Sequence, residues 1–229
     1  MTHWFAEGDT PDGPRKISLS GTDLAHQNET QEQGPVVRVG DGPPDTLPAP
    51  VLPRDMHVIA DFAQTKPMDR VSAWVRLWLL GLMDRQPGWD GVVCATYGDV
   101  THWIEVSAKE AVSCRSSVTL RLCRLMQGAG VLDEDAVAAS ISRPERLVSD
   151  LYTAGLVGDG GAVTGHLVGA ELATMRPYWL GRDIVLVTDQ PGLYMSALSG
   201  QGVPAKAYSP EELLHGGLAV VARARGFHN

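Results

Sequence analysis

The chain has 229 residues, 44% of them hydrophobic, and a formal net charge of −8 at pH 7, so it holds enough apolar residues for a sizeable core. The acidic balance, without a clustered basic patch, argues against a nucleic-acid partner. The first ten residues lack the basic start and apolar run of a signal peptide, and charged residues interrupt the apolar stretches. We therefore expect no membrane span and a cytoplasmic location. The three cysteines have neither metal-ligand nor disulfide spacing, which predicts buried free thiols at Cys94, Cys114 and Cys123.

Residues 1–54 form a first segment that is rich in proline and glycine. Only Lys16–Leu19 and Val36–Val39 have the pattern of strands, and both are short. Burying so little apolar surface does not offset the conformational entropy lost when the backbone is ordered, which costs about 1–2 kcal/mol per residue. The sequence therefore predicts an irregular N-terminal segment, either partly disordered or a remnant packed on a main domain that spans residues 55–229.

The main domain begins with a predicted strand, Met56–Phe62, and a predicted helix, Met68–Asp84. Apolar side chains cover one face of this helix and extend beyond it, which is typical of a helix buried against a sheet or between domains. Trp74 and Trp78 are accordingly predicted to be core residues. Stacking on a sugar or a base is the alternative role for these two rings.

Three short strands in a row follow this helix. They are separated by turn-forming residues, which predicts an antiparallel meander of Gly91–Ala95, His102–Ser107 and Ala111–Arg115. Because the hydrophobic period then changes from two to about 3.6, the chain is predicted to be helical as far as Asp183.

The end of the chain reads as strand, helix, strand, helix. Asp183–Thr188 is a compact apolar run typical of a strand buried on both faces, a second strand lies near Val203–Tyr208, and the last helix begins at Pro210. The predicted order is βββ-α-α-β-α-β-α, and the fold class is therefore α/β. Between the two strands, the turn Asp189–Gly192 leads into a helix N-terminus, where free N–H groups favour an anion or a nucleotide. An ordinary strand–helix connection is the other interpretation of this turn.

Several segments resemble, in order and spacing, those of one known kinase family. Leu167–Arg176 reads LVGAELATMR where the family carries a helix like LIGAEVASMR, and Tyr194–Gly202 and Leu213–Val221 match its last two helices. Trp89–Thr119 is similar to the family's meander, in which a PGTHTKW-like turn joins the first two strands. The family is that of the 2-dehydro-3-deoxygalactonokinases, which phosphorylate a 2-keto-3-deoxy sugar acid with ATP. The resemblance covers roughly residues 58–222, with a shortened N-terminal half.

The resemblance implies an actin-like (ribonuclease-H-like) fold, ATP and Mg²⁺ as cofactors, and a small sugar acid as the substrate. In actin-like kinases the turn between the first two strands of each half holds phosphate. On this basis the phosphate-binding candidates are Gly98, Thr101, Thr188, Asp189 and Gly192. Asp99 stands where phosphate oxygens would approach, which makes it a candidate catalytic base or Mg²⁺ ligand, or else a group that repels phosphate.

The sequence also departs from the family pattern. The paired acids of an MRGEETQ-like segment are absent at Arg70–Arg76, and the acid of an MTGE-like segment is absent near Ser117–Leu120. No counterpart of the first phosphate loop, DWGTTNLRAW, is evident in residues 1–54, although a diverged loop around Gly8–Gly13 is an alternative.

Three hypotheses follow from this pattern. The first is an active sugar-acid kinase, and the second is a catalytically degenerate paralogue that binds a sugar acid or pairs with a complete kinase. The third is a shortened reading frame whose product has no function of its own. A homo-oligomer or a complete kinase is the expected protein partner. Since the sequence indicates only one half of a two-half kinase, we expect no phosphorylation above background.

Overall fold

The computed structural model describes residues 2–24 and 33–227. The chain divides into two compact units. Unit 1 contains residues up to 90, residues 106–114 and the C-terminal part from Tyr208, and unit 2 contains residues 91–105 and 115–207. The long strands around residues 106 and 114 therefore contribute to both units.

Unit 1 holds a five-stranded sheet and a smaller sheet. The strands in chain order are β1 His3–Thr10, β2 Gly13–Ser20, β3 Asp23–Leu24, β4 Val36–Val39, β5 Asp45–Thr46, β6 Ala49–Pro50, β7 Val58–Ile59, β8 Phe62–Thr65 and β9 Met68–Val71. The larger sheet has the order β3-β2-β1-β4-β7, and the smaller has the order β5-β8-β9. Strand β1 is antiparallel to β2 and parallel to β4, which is parallel to β7.

The expectation of an irregular N-terminal segment is wrong for the residues that the structure describes. Both predicted strands are present within β2 and β4, and β1 supplies a buried core through Trp4, Phe5 and Ala6. Glycine and proline are concentrated at the strand ends, as in the turn between β1 and β2, where they permit chain reversal. Residues 25–32, which fall in the segment predicted to be partly disordered, lie outside the described residues.

Two helices of unit 1 pack together with almost no space between their backbones. They are α1, Ala73–Arg85, and the last helix of the chain, Pro210–Arg225, which begins at the predicted proline. A Cβ atom added to Gly81 would lie 1.9 Å from the carbonyl oxygen of Leu213, and one added to Gly217 would lie 2.0 Å from that of Leu77. These two positions therefore require glycine.

Helix α1 begins later than its hydrophobic pattern predicts. Met68–Val71 is strand β9, and the helix starts only after Ser72, whose hydroxyl accepts a hydrogen bond from the Trp74 amide. The prediction that Trp74 and Trp78 are core residues is confirmed, because the two side chains are 2% and 5% exposed.

Arg76 is a fully buried arginine of unit 1. Its guanidinium donates to the backbone carbonyls of Val51, Ala60 and Pro50 and to the Asp45 carboxylate, and it lies over the ring of Phe62. Burial lowers the pKa of Arg76, and the hydrogen bond and charge of Asp45 oppose that shift. The side chain thus ties irregular backbone around residues 50–60 to α1.

Unit 2 is built on a second sheet with helices between its strands. The remaining strands are β10 Gly91–Tyr97, β11 Val100–Ser107, β12 Glu110–Ser117, β13 Ile184–Val187 and β14 Ala205–Tyr208. The helices are α2 Thr119–Leu125, α3 Glu134–Ser142, α4 Leu147–Val157, α5 Gly160–Thr174, α6 Arg176–Trp179 and α7 Gly192–Ser199, and the helix at Pro210–Arg225 is α8. A short 3-10 turn, Pro144–Arg146, precedes α4.

The second sheet repeats the strand order of the first. Its six strands follow as β14-β13-β10-β11-β12-β6, in which β6 is an edge strand added to the repeated five, and β13 runs parallel to β10 with Ala95 opposite Val187. Two-residue turns join β10 to β11 and β11 to β12, as antiparallel neighbours allow. The predicted meander and the parallel placement of the buried strand are confirmed. The fold is actin-like, but the expectation that the chain holds only one half is wrong, because each unit carries a sheet of this order.

Small residues of α5 allow a close contact with α3. A Cβ atom added to Gly165 would lie 2.4 Å from the carbonyl oxygen of Asp133, and one added to Gly169 would lie 2.5 Å from that of Val137. The two glycines therefore let the backbone of α3 approach α5 closely. Among the described residues, no helix is long and apolar enough to cross a membrane.

Candidate functional site

The two turns that the sequence singled out lie at the same end of the unit 2 sheet. Gly98 and Asp99 follow β10, and Thr188–Gly192 follows β13. Since β10 and β13 are parallel neighbours, their carboxyl ends meet at one edge of the sheet, where open α/β sheets bind ligands. A hydrogen bond of 2.9 Å between the hydroxyls of Thr101 and Tyr194 joins the strand after the first turn to the helix after the second.

Asp99 is held by two arginines from α2. Arg121 makes a two-point pair with the carboxylate, with its Nε and its terminal nitrogen 3.0 and 2.9 Å from the two oxygens, and Arg124 donates at 2.6 Å. The hydrogen bond from Arg121, together with the charges of both arginines, lowers the pKa of Asp99. The turn is therefore not an isolated negative charge, because two guanidinium groups lie against its carboxylate.

The other predicted phosphate-binding residues divide into exposed and buried positions. Gly98 is exposed and has a φ of 62°, a left-handed conformation that favours glycine. Asp189 and Gly192 are exposed in the second turn. Thr101 and Thr188 are buried, and their hydroxyls already bond to Tyr194 and to the Gln190 amide. The two threonines thus shape the turns from inside.

A buried carboxylate, Glu171 of α5, lies at the centre of this end of unit 2. The indole N–H of Trp103 donates to one carboxylate oxygen and the hydroxyl of Tyr194 donates to the other, both at 2.8 Å. The hydroxyls of Thr119 and Ser117 also bond to Glu171. The network joins strand β11, the start of arginine-bearing α2, and α7.

Burial raises the pKa of Glu171, and the hydrogen bonds from its four neighbours oppose that shift. A carboxylate that is only 5% exposed and receives several hydrogen bonds is a fixed centre of polar contacts, and the buried indole N–H of Trp103 would be left unsatisfied without it. Glu171 is thus a candidate positioning residue for both turns.

Unit 1 has a turn at the corresponding place between its first two strands. Pro11 and Asp12 connect β1 to β2, and the Thr10 hydroxyl donates to the Gly13 carbonyl at 2.7 Å. The indole N–H of Trp74 donates to the carbonyl of Asp9 at 2.8 Å, which ties the end of β1 to α1. The turn falls in the Gly8–Gly13 segment, so the alternative of a diverged loop there fits the strand topology, and the absence of any counterpart does not.

The sequence profile of one family matches the chain over residues 77–221, and that family is described as 2-keto-3-deoxy-galactonokinase. The matched residues are more than half of the chain. The chain belongs to this family. No curated protein matches it.

Two solved structures are similar to this chain, and one of them is named as a member of the same kinase family. The chain is similar to the crystal structure of a candidate 2-dehydro-3-deoxygalactonokinase from Sinorhizobium meliloti, with 17% identity and a TM-score of 0.75 over 98% of this chain and 99% of that one. At this identity the likeness concerns the fold. The (R)-2-hydroxyglutaryl-CoA dehydratase component A of Acidaminococcus fermentans aligns at 12% identity and a TM-score of 0.44 over 97% of each chain, which is too low to carry an argument.

Membership of this kinase family implies the use of ATP and Mg²⁺. The residues at the Gly98–Asp99 turn fit the phosphates of ATP better than they fit Mg²⁺. The arginines Arg121 and Arg124 and the exposed Gly98 suit the charged oxygens of a phosphate chain. Asp99 does not fit a Mg²⁺ ligand in this arrangement, because both of its oxygens accept from guanidinium groups. Its lowered pKa also makes it a poor general base.

Sequence reasoning missed three residues of this site, and a signal existed for each. Arg121 and Arg124 are three residues apart on one helix, so they share a face that can meet a nearby acid. Glu171 is a single acid within an apolar helical segment, and such a residue is almost never buried without partners. Neither signal identifies which partner the residue meets.

Proposed function

We propose that this chain is a sugar-acid kinase that transfers the terminal phosphoryl group of ATP to a 2-keto-3-deoxy sugar acid. Membership of the 2-keto-3-deoxy-galactonokinase family supports the reaction class. The observation that carries the proposal is the pair of arginines held at the phosphate-loop position of unit 2. Phosphoryl transfer depends mainly on positioning and on stabilising charge, and two guanidinium groups supply that charge.

In this proposal Asp99 is a positioning residue. It holds Arg121 and Arg124 beside the turn in the absence of phosphate, with Arg121 and Arg124 side chains 48% and 71% exposed. A phosphate chain would replace the carboxylate as their partner, since guanidinium binds phosphate in the same two-point geometry. ATP would supply the transferred group, and the protein would supply its orientation. The reaction would take place in the cytoplasm, where ATP is made available.

A second candidate function is binding without turnover. The observation that favours it is that both oxygens of Asp99 are paired with arginines, so the Gly98–Asp99 turn has no free carboxylate. A degenerate paralogue that senses a sugar acid, or pairs with a complete kinase, would need phosphate or sugar contacts and no catalytic acid.

The two candidates are separated by measuring binding and turnover on one preparation. ADP release is followed with MgATP and 2-dehydro-3-deoxygalactonate, and nucleotide binding is followed by calorimetry. Turnover within roughly 1–1,000 per second supports the kinase. Binding without turnover, either of the nucleotide or of the sugar acid titrated in the same way, supports the second candidate, and the absence of turnover and of both binding signals refutes the two proposals together.

Arg121→Gln tests the role of the arginine pair. We expect the KM for ATP, or the Kd in the absence of turnover, to rise roughly 10- to 100-fold, which is the range for losing a charge-assisted hydrogen bond. Arg182→Gln is the matched control, because Arg182 is 49% exposed and also pairs with a carboxylate, that of Glu105. An equal effect of the two substitutions would show that the turn has no special role.

A further inference from the structure

A cavity of about 540 Å³ lies among the helices α3, α4 and α5 of unit 2. Its volume is in the range of small-molecule sites, which is about 300–1,000 Å³. Its lining residues fall between positions 139 and 166, so it contains no residue of the Gly98–Asp99 or Thr188–Gly192 turns. We call it the α3–α5 cavity.

Two arginines line this cavity, and only one of them forms an ion pair within the part of the chain that the structure describes. Arg143 and Arg146 both line it, and Arg146 makes one long pair of 3.4 Å with Asp150 of α4. Arg143 stands at the C-terminal end of α3, and among residues 2–24 and 33–227 no carboxylate pairs with it. An arginine without an acidic partner at the rim of a cavity presents its donor fork to an anionic group.

The third polar group is His166 of α5. Its Nδ1 bonds to the Ser140 hydroxyl at 2.9 Å, which fixes the ring orientation and leaves Nε2 for another partner. Asp159 also lines the cavity, and one of its oxygens accepts from the Ala162 amide at the start of α5. Its second oxygen, like the Asp150 carboxylate, is an acceptor for hydroxyl groups.

We propose that the α3–α5 cavity binds a hydroxylated organic acid, with Arg143 and Arg146 on its carboxylate and with His166, Asp150 and Asp159 on its hydroxyls. A phosphate would use the arginines but leave the two aspartates without a donor from the ligand, whereas a neutral sugar would leave Arg143 without an anionic partner. The remaining lining combines apolar side chains, those of three alanines and Val157, with the hydroxyls of Ser142 and Thr153, and it leaves space for a carbon chain that carries hydroxyl groups. The site is separate from the proposed phosphate turn and does not depend on kinase activity.

Calorimetric titration of the full chain tests this site with three probes, D-galactonate, D-galactose and inorganic phosphate. We expect saturable binding of galactonate, with galactose and phosphate much weaker. Arg143→Gln should weaken that binding roughly 10- to 100-fold. His166→Asn, which keeps a partner for Ser140 and removes Nε2, should also weaken it. Circular dichroism checks that both variants remain folded.

Arg121→Gln is the control for the phosphate turn, and we expect it to leave galactonate binding to the cavity unchanged. The proposal is overturned if galactonate does not bind the wild-type chain, or if the Arg143→Gln isotherm is identical to the wild-type isotherm. Equal binding of galactose, or tighter binding of phosphate, would overturn the ligand class. A loss of binding in Arg121→Gln alone would assign the galactonate to the turn and refute the cavity site.

Discussion

Replacing Glu171 is the most informative perturbation of unit 2, because the acid joins three elements at one point. In Glu171→Ala the indole N–H of Trp103, which is fully buried, loses its acceptor. An orphaned buried donor costs about 1–3 kcal/mol. The loss of the hydrogen bond from Tyr194 costs less, because its hydroxyl can donate to Thr101 instead. The empty space adds a further cost, so we expect Glu171→Ala to lower the free energy of unfolding by about 2–5 kcal/mol.

Glu171→Gln separates charge from hydrogen bonding. Its amide oxygen can still accept from Trp103, and its amide N–H can donate to the Tyr194 oxygen, so we expect a loss below about 1.5 kcal/mol at neutral pH. The two chains should also differ in their pH dependence. Because burial raises the pKa of Glu171, the folded state binds its proton more tightly than the unfolded state. That contribution is complete below the pKa of the unfolded carboxyl and is lost as the pH rises through the folded pKa.

The assay is urea unfolding at several pH values, combined with hydrogen exchange of peptides from β11, which reports on unit 2 directly. The stability of the wild-type chain relative to Glu171→Gln should decrease as the pH rises from acid towards neutral. Glu105→Ala is the control, since Glu105 is a partly exposed acid of β11 paired with the exposed Arg182, and we expect a loss of about 1 kcal/mol or less. A Glu171→Ala variant as stable as Glu105→Ala, or a relative stability that increases with pH, would show that Glu171 does not hold this network together.

Three other perturbations give clear expectations. Asp99→Asn should tighten ATP binding without Mg²⁺, because it releases two arginines, and fluorescence anisotropy showing weaker binding would contradict this. Gly217→Ala should destabilise the chain by about 1–3 kcal/mol in urea unfolding. Gly155→Ala, at a helical glycine with open space around it, should instead stabilise by up to about 1 kcal/mol, and equal effects would be inconsistent with tight α1–α8 packing. Cys123, whose pKa burial raises to about 11, should react with iodoacetamide at pH 8 only after unfolding.

The sequence was informative wherever structure follows from local pattern. The meander strands, the buried strand Ile184–Val187 and the start of α8 at Pro210 all carry short-range signals of period, turn and cap. The N-terminal sheet was missed because glycine and proline lie within its two long strands, its other three strands have only two to four residues, and two of its pairings are parallel. Strand β1 lies beside β4 across an intervening hairpin, and no local pattern specifies that neighbour.

The sequence predicted where the candidate site lies better than it predicted the chemical role of its residues. The parallel arrangement of β10 and β13 follows from the fold, and it places both turns at one edge. The partners of Asp99 do not follow from it, because Arg121 and Arg124 reach the turn only through the placement of α2 after β12. An acid whose neighbours are unknown has an unknown role, and the prediction of a base or Mg²⁺ ligand assumed no neighbours at all.

The membership of α8 in unit 1 has a consequence for synthesis on the ribosome. Residues up to Asp90 pack with a helix that begins roughly 120 residues later, so their unit lacks α8 for on the order of 6–24 s while the intervening chain is made. The face of α1 that receives α8 is exposed during this time, including the groove at Gly81. Nascent chains paused before Pro210 should therefore present the apolar face of α1 to chaperones.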